Sequence, residues 1–255
     1  MNFRDIVDLF VLLHFWLCSA SVLMVIASAM VLQVELRTIG LGVLLPALLM
    51  CVVYVEDRRS PDPADRINQP RRTALVDRYQ RALFLTVIVA MGGYQVLLIH
   101  LVHATAEIGP IYLLLGQFPF VVLVGYQHLK GYPGLDSLVV GCTWAYAIVF
   151  TVVVATGISL SSRLVLVFLV WVLLVAAGAE SRNIRDRTGD RMSGHTTLAI
   201  WFGASTIYLL EAVLKTIGVV VFWITGGVQA AATLFLWLAL LRVFRYVEHR
   251  RASTP

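Results

Sequence analysis

Three observations predict an all-α integral membrane protein, a bundle of about eight transmembrane helices under a polar cytoplasmic cap. Hydrophobic residues make up 59% of the 255 residues and charged residues 14%, with a mean hydropathy of +0.84. A soluble domain has about 45–50% and about 25%. The apolar excess is gathered into blocks, and about 20 such residues in a row cross a bilayer core. The basic residues fall almost entirely on one side of those blocks.

The blocks lie near residues 6–33, 36–55, 82–102, 108–126, 134–157, 164–179, 197–224 and 228–244. Each is read as a helix, because a helix satisfies its own backbone in lipid. With the N-terminus in the cytoplasm, the inner side receives Arg4, Arg58, Arg59, Arg66, Arg71, Arg72, Arg78, Arg81 and Lys130. It also receives Arg182, Arg185, Arg187, Arg191, Arg242, Arg245, Arg250 and Arg251, making 17 of the 20 basic residues. Arg37 and Arg163 fall outside, and Lys215 lies within the seventh block. The positive-inside rule is met at every connection, so both termini are expected on the cytoplasmic face of the cell membrane. A ninth span would have to be cut from residues 197–247, at about 17 residues per span, short of the usual length.

The first block runs well past the apolar core of a signal peptide and reads as a retained span. Residues 1–255 form a single polytopic membrane domain with two charged cytoplasmic loops, 56–81 and 180–196. The connection 103–107 and the turn Thr225–Gly227 are short, so no soluble domain fits between spans. The net charge of +5 is read as topology and not as a sign of nucleic acid. Cys18, Cys51 and Cys142 sit in apolar blocks without a CxxC pair and read as small core residues.

The second charged loop opens "RNIRDRTGDRMSGHTTLAIWFG" (182–203). Asn183, Asp186 and Asp190 are spaced i, i+3 and i+7, which places them on one helical face. Asp186 and Asp190, one turn apart, suit one Mg²⁺, an ion that takes oxygen ligands and is commonly shared with phosphates. Asn183 adds a neutral oxygen. Arg182, Arg185, Arg187 and Arg191 surround them and match phosphate oxygens in a bidentate manner. Gly189 and Gly194 loosen the helix, and Thr196 or Thr197 caps the next one. From spacing alone, a solvated loop with local Arg–Asp pairs accounts for the stretch equally well.

The stretch resembles the second aspartate motif of the UbiA superfamily of membrane prenyltransferases. Asp186, Gly189, Asp190, Gly194, Thr197, Leu198 and Gly203 fall in register, and Asn183 stands where that motif usually has its first aspartate. "YQHLKGYPGLDSLVVGCTWAYA" (126–147) is similar to the family's connection after span four, with Tyr126, Leu129, Lys130 and Gly141 in place. In "YVEDRRSPDPADRINQPRR" (54–72), Asp65, Asn68 and Pro70 match the end of the first motif. Asp57 occupies its asparagine position, Pro61 that of its first aspartate, and Asp62 is displaced by one. Pro61 and Pro63 cannot sit in a helix interior, so the carboxylates cannot stack on one face. Either an irregular loop gathers Asp57, Asp62 and Asp65, with Glu56 as a spare carboxylate, or part of the first site is lost.

The resemblance implies a polyprenyl diphosphate donor, a hydrophobic acceptor in an apolar chamber open to membrane lipid, and transfer of the prenyl group between them. It implies Mg²⁺ at Asp57, Asp62, Asp65, Asn183, Asp186 and Asp190, with Asp65, Asp186 and Asp190 central to catalysis. Arg58, Arg59, Asn68, Arg72, Lys130 and Arg185 are the residues expected on the donor. Two alternatives stand: a non-catalytic isoprenoid-binding relative, or a small transporter using Glu211 and Lys215.

Polar groups inside membrane spans are functional candidates by default. Glu211 and Lys215, at i and i+4, are expected to neutralise each other. Tyr94, Gln95 and Gln117 are candidates for lining a cavity, and Trp144 and Tyr146 for facing a carbocation. His14 and His100 are expected as hydrogen-bonded core residues. The "SGH" at 193–195 lacks the upstream and downstream motifs of lipid phosphatases and is read as part of the loop.

Overall fold

A computed structural model describes residues 3–59, 66, 68–126, 132–192 and 196–252, with the side chains of residues 3, 4, 188–190 and 252 left aside. The elements are α1 (Phe3–Leu12), α2 (Trp16–Leu32), α3 (Leu36–Ile39), a 3₁₀ turn (Gly40–Leu44), α4 (Leu45–Arg59) and α5 (Pro70–Ala104). They continue with α6 (Ile111–Leu115), α7 (Phe118–Tyr126), α8 (Leu135–Thr156), α9 (Ser162–Met192) and α10 (Leu198–Ala252). Among the described residues, five helical stretches are long and apolar enough to cross a membrane, or six if the bent pair α1–α2 counts as one.

The centre of the bundle is α2, where Ala20, Ser21, Ala27, Ser28 and Ala29 have no exposed surface. Small residues let helix backbones approach closely in lipid, where packing replaces the hydrophobic effect as the driving force. Helices α4, α8, α9 and α10 all pack on α2. Trp171 of α9 donates from its indole to Ser28 Oγ at 2.8 Å. Helices α8 and α9 cross most closely at Gly141, where an added Cβ would sit 2.5 Å from the Val172 carbonyl oxygen. The outer surface carries large apolar side chains, among them Leu85, Val89, Val96, Val124, Leu160 and Ile224. Lipid tails suit such a surface; water does not.

Helix α10 is 55 residues long, about 80 Å if it were straight at 1.5 Å per residue. It is not straight. Gly227 has φ 76° and ψ −174°, a region that only glycine adopts readily, and Arg245 meets Glu211 at 2.8 Å across the break. The expected turn at Thr225–Gly227 therefore divides α10 into two antiparallel arms.

Three expected boundaries move. The first apolar block is broken at His14 (φ 62°), and α1 bends 47° from α2. The reason lies in Asp5 and Asp8, buried on α1. Asp8 accepts from Arg71 and Arg251, while Asp5 accepts from Tyr79 and pairs with Arg78 at 3.4 Å. A helix tied to those arginines lies beside α5, where it shares a second small core with Val55, Leu75, Val76 and Leu83. The fourth block is two short helices. Gly116 and Pro119 interrupt it, and the Gly116 carbonyl accepts from the Tyr94 hydroxyl at 2.7 Å instead of continuing a helix. Finally, both charged loops are partly helical: α5 already starts at Pro70, a residue suited to the first helical turn, and α9 runs on to Met192.

Candidate active site

A chamber of about 280 Å³ opens between α2, α4, α7, α8, α9 and α10. Its walls are apolar and aromatic, with Trp16, Leu49, Met50, Trp144, Leu174 and Trp237 among them. One end is polar and is formed by Asp57 and Arg58 at the end of α4, by Asn68, and by Arg182, Asn183 and Asp186 on α9. Tyr54, Tyr126 and Asp136 complete that end.

The helical phase of α9 explains the second half of this rim. From Leu164 to Gly178 the helix is apolar, with one face buried, and it then carries Arg182, Asn183 and Asp186 toward the chamber. The first half is brought to it by hydrogen bonds. Asn68 donates from Nδ2 to the Asp186 carbonyl oxygen at 3.1 Å, and Gln69 donates from Nε2 to Asp186 Oδ1 at 3.4 Å. Arg185 Nε stands 3.9 Å from the same carboxylate oxygen. The two contacts to the carboxylate, at 3.4 and 3.9 Å, are long, so it keeps most of its capacity to accept. Asn183 donates to Glu180 Oε2 at 3.4 Å, and Asp57 pairs with Arg58 at 3.4 Å.

The other predicted residues are distributed unevenly. Arg59 turns to Glu56 at 2.5 Å and stacks over Phe84, with its guanidinium carbon 4.7 Å from the ring centre. Arg72 is buried and donates to Gln69 Oε1 at 2.8 Å, behind the rim. Arg185 donates to Glu248 Oε1 at 3.1 Å. Asp62, Asp65 and Lys130 lie outside the described residues, and so does the side chain of Asp190, whose backbone continues α9 one turn past Asp186. Among the described residues, no three His, Cys, Asp or Glu side chains stand close enough to hold a metal between them. Oxygen donors do converge on one opening from two separate segments: Asp57 and Asn68 from the first, Asn183 and Asp186 from the second. An all-oxygen set of this kind suits Mg²⁺.

Several wall residues escape a reading by motif. Asp136, on the first turn of α8, faces the rim. Arg182 is held by two buried partners: it contacts the His14 imidazole, which lies 3.0 Å from Glu248 Oε1. Glu248 is 66 positions further along the chain than Arg182, and no local spacing signals such a pair. Glu211 and Lys215 form the expected pair and gain a third member. They stand 2.7 Å apart, Arg245 joins the same carboxylate oxygen at 2.8 Å, and all three line the chamber.

Trp144 is on the chamber wall, 5.7 Å from Tyr54 between ring centres. Tyr146 is not; its hydroxyl donates to the Leu115 carbonyl oxygen at 2.7 Å. Gln95 and Gln117 bond each other at 2.8 Å, and Tyr94 is committed to Gly116, so these three brace α5 against α6 and α7. Thr197 does cap α10, accepting from the Ile200 N–H at 3.3 Å. His14 is a buried, hydrogen-bonded histidine as expected, whereas His100 faces outward on α5.

A family model described as the UbiA prenyltransferase family matches residues 57–255. The match takes in both charged segments and leaves α1, α2 and nearly all of α4 outside. No curated protein and no solved structure matches the chain.

Proposed function

The chain belongs to the UbiA prenyltransferase family, and from that premise we propose that it moves a polyprenyl group from its diphosphate to a hydrophobic acceptor within the membrane. Membership and the long apolar helices make it an integral membrane protein of the prenyltransferase class. The finer reading has eight spans, counting α6–α7 as one and α10 as two, with the polar rim facing the cytoplasm.

One observation carries the proposal. Two charged segments more than a hundred residues apart meet at Asn68, Gln69 and Asp186, beside a largely apolar chamber. Mg²⁺ bound by Asp57, Asp62, Asp65, Asn183, Asp186 and Asp190 would neutralise the diphosphate and improve it as a leaving group. Arg58 and Arg182, already on the rim, add positive charge to the same oxygens. Arg59, Arg72 and Arg185 reach the donor only by leaving Glu56, Gln69 and Glu248, and Lys130 follows the family motif.

The allylic C–O bond breaks, and its electron pair leaves with the diphosphate. The acceptor's nucleophilic atom bonds to the allylic carbon, and the acceptor releases a proton. Trp144 and Tyr54 present aromatic faces where positive charge develops, a favourable electrostatic contact. The apolar walls keep water from capturing the cation.

The test is release of diphosphate by purified protein given geranylgeranyl diphosphate, Mg²⁺ and a lipid extract, with and without EDTA. Release and a new prenylated lipid should both vanish with EDTA and in Asp186→Ala and Asp190→Ala. A protein that neither turns the donor over nor binds it would sink the reading.

A further inference from the structure

The cluster of Glu211, Lys215 and Arg245 plays no part in the donor chemistry above, yet it forms part of the chamber wall. Glu211 Oε1 takes both Lys215 Nζ, at 2.7 Å, and Arg245 Nη1, at 2.8 Å. Arg245 also donates to Ser181 Oγ at 3.0 Å and to the Gly178 carbonyl oxygen at 3.1 Å. Those two acceptors are neutral. Among the described residues, one carboxylate therefore serves two cations, and the cluster carries a net charge of +1.

The surplus is in an expensive place. Ile207, Glu211, Gly218 and Phe222 form the buried stripe of the first arm of α10, with Lys215 partly buried on the same stripe. Lys215 precedes Gly227 by twelve residues, about 18 Å along a helix, so its four-carbon stem cannot carry the ammonium to the far interface. An unbalanced cation inside a membrane bundle is costly and marks a binding function by default. An anion entering the chamber removes the imbalance. The ammonium has three donors, more than one carboxylate oxygen uses.

The cluster is also separate from the donor end. Gly178, against which Arg245 packs, precedes Asp186 by eight residues on α9, about 12 Å of helix. The chamber thus has two places for negative charge, one at the rim and one deeper. We infer that Lys215 and Arg245 bind a single anionic group, a carboxylate or a phosphate ester, on the acceptor. The assignment to the acceptor rests on the transfer reading above; the anion site itself does not.

The experiment uses full-length protein in lipid nanodiscs, with Mg²⁺ and inorganic diphosphate present in excess to fill the rim. Labelled benzoate, phenyl phosphate and the neutral benzamide are each bound by equilibrium dialysis. At least one of the two anions should bind tenfold or more tightly than benzamide, and the better one identifies a carboxylate or a phosphate ester. Lys215→Met, which leaves the cluster neutral, should abolish the preference. Glu211→Gln, which raises the cluster to two net positive charges, should strengthen it threefold or more. A cluster serving only to hold α9 and α10 together would lose anion binding in both variants or show no preference in the wild type. Either result overturns the inference, as does an unchanged preference in Lys215→Met. Mg²⁺-dependent binding of geranylgeranyl diphosphate is measured on the same samples. Its retention in Lys215→Met shows that the variant is folded, and its absence from the wild type counts against the transfer reading alone.

Discussion

The two charged segments that meet at the rim rest on different scaffolds. The second is the end of α9, a continuous helix whose apolar part is packed against α2, α8 and α10. Its side chains are placed by helical phase, and the buried Arg182–His14–Glu248 contacts fix that phase from outside. The first segment contributes Asp57 from the last turn of α4, then Asn68 and Gln69 just before Pro70. Asn68 and Gln69 reach the site by donating to Asp186, not by sharing a helix face with Asp57. A position set by helix geometry is hard to lose by single substitutions nearby. A position set by two side-chain hydrogen bonds is easier to lose.

Substitutions can break or sharpen that contrast. Asp186→Ala removes both a carboxylate of the rim and the acceptor for Gln69, and single-turnover diphosphate release should fall by about 10²–10³-fold, the scale for one preorganised electrostatic group. Asp57→Ala, on the less rigid scaffold, should cost less; an equal or larger loss would invert the comparison. Glu248→Gln takes the buried carboxylate from His14 and Arg185 and from Arg182 behind His14, which should lower stability by about 3 kcal/mol, the low end for breaking a buried pair, read as a fall in thermal midpoint in detergent. Asn68→Ala keeps every acidic residue but removes a tether to Asp186 and one neutral oxygen of the rim, so Mg²⁺ affinity should drop by about 10-fold, as for a group that orients a ligand. Arg59→Ala should change release by less than about twofold, since Arg59 is turned to Glu56 and Phe84 and is absent from the chamber wall. A large loss there would mean that Arg59 leaves Phe84 to meet the donor.

The same contrast explains what was legible beforehand. Hydropathy marks the helical blocks because lipid demands apolar length, and "TGG" marks the break in α10 because glycine there has a distinct conformation. Asn183 and Asp186 were readable as one face because a 3.6-residue period is local. The break at His14 was not, because residues 9–33 contain no charge, glycine or proline to announce it. Its cause is Asp8 meeting Arg71 and Arg251, a relation that only the folded chain displays. Arg245 beside Glu211 and Glu248 beside Arg182 were hidden for the same reason. The prolines at 61 and 63 signalled an interrupted first motif, and that stretch is among the residues left undescribed.

Asp8 has a consequence for how the molecule is made. It accepts from Arg251 at the opposite end of the chain, and His14 likewise meets Glu248. Chains leave the ribosome N-terminus first, so α1 emerges before either partner exists. Arg71, Arg78 and Tyr79 of α5 reach its two carboxylates first, and Asp8 gains its second cation only when the second arm of α10 arrives. A chain halted short of residue 245 would carry most of its hydrophobic bulk already inserted, yet have Arg182 and His14 without Glu248 and Asp8 without Arg251. Such a product should sit in the bilayer, inert, and present α1 to quality-control proteases.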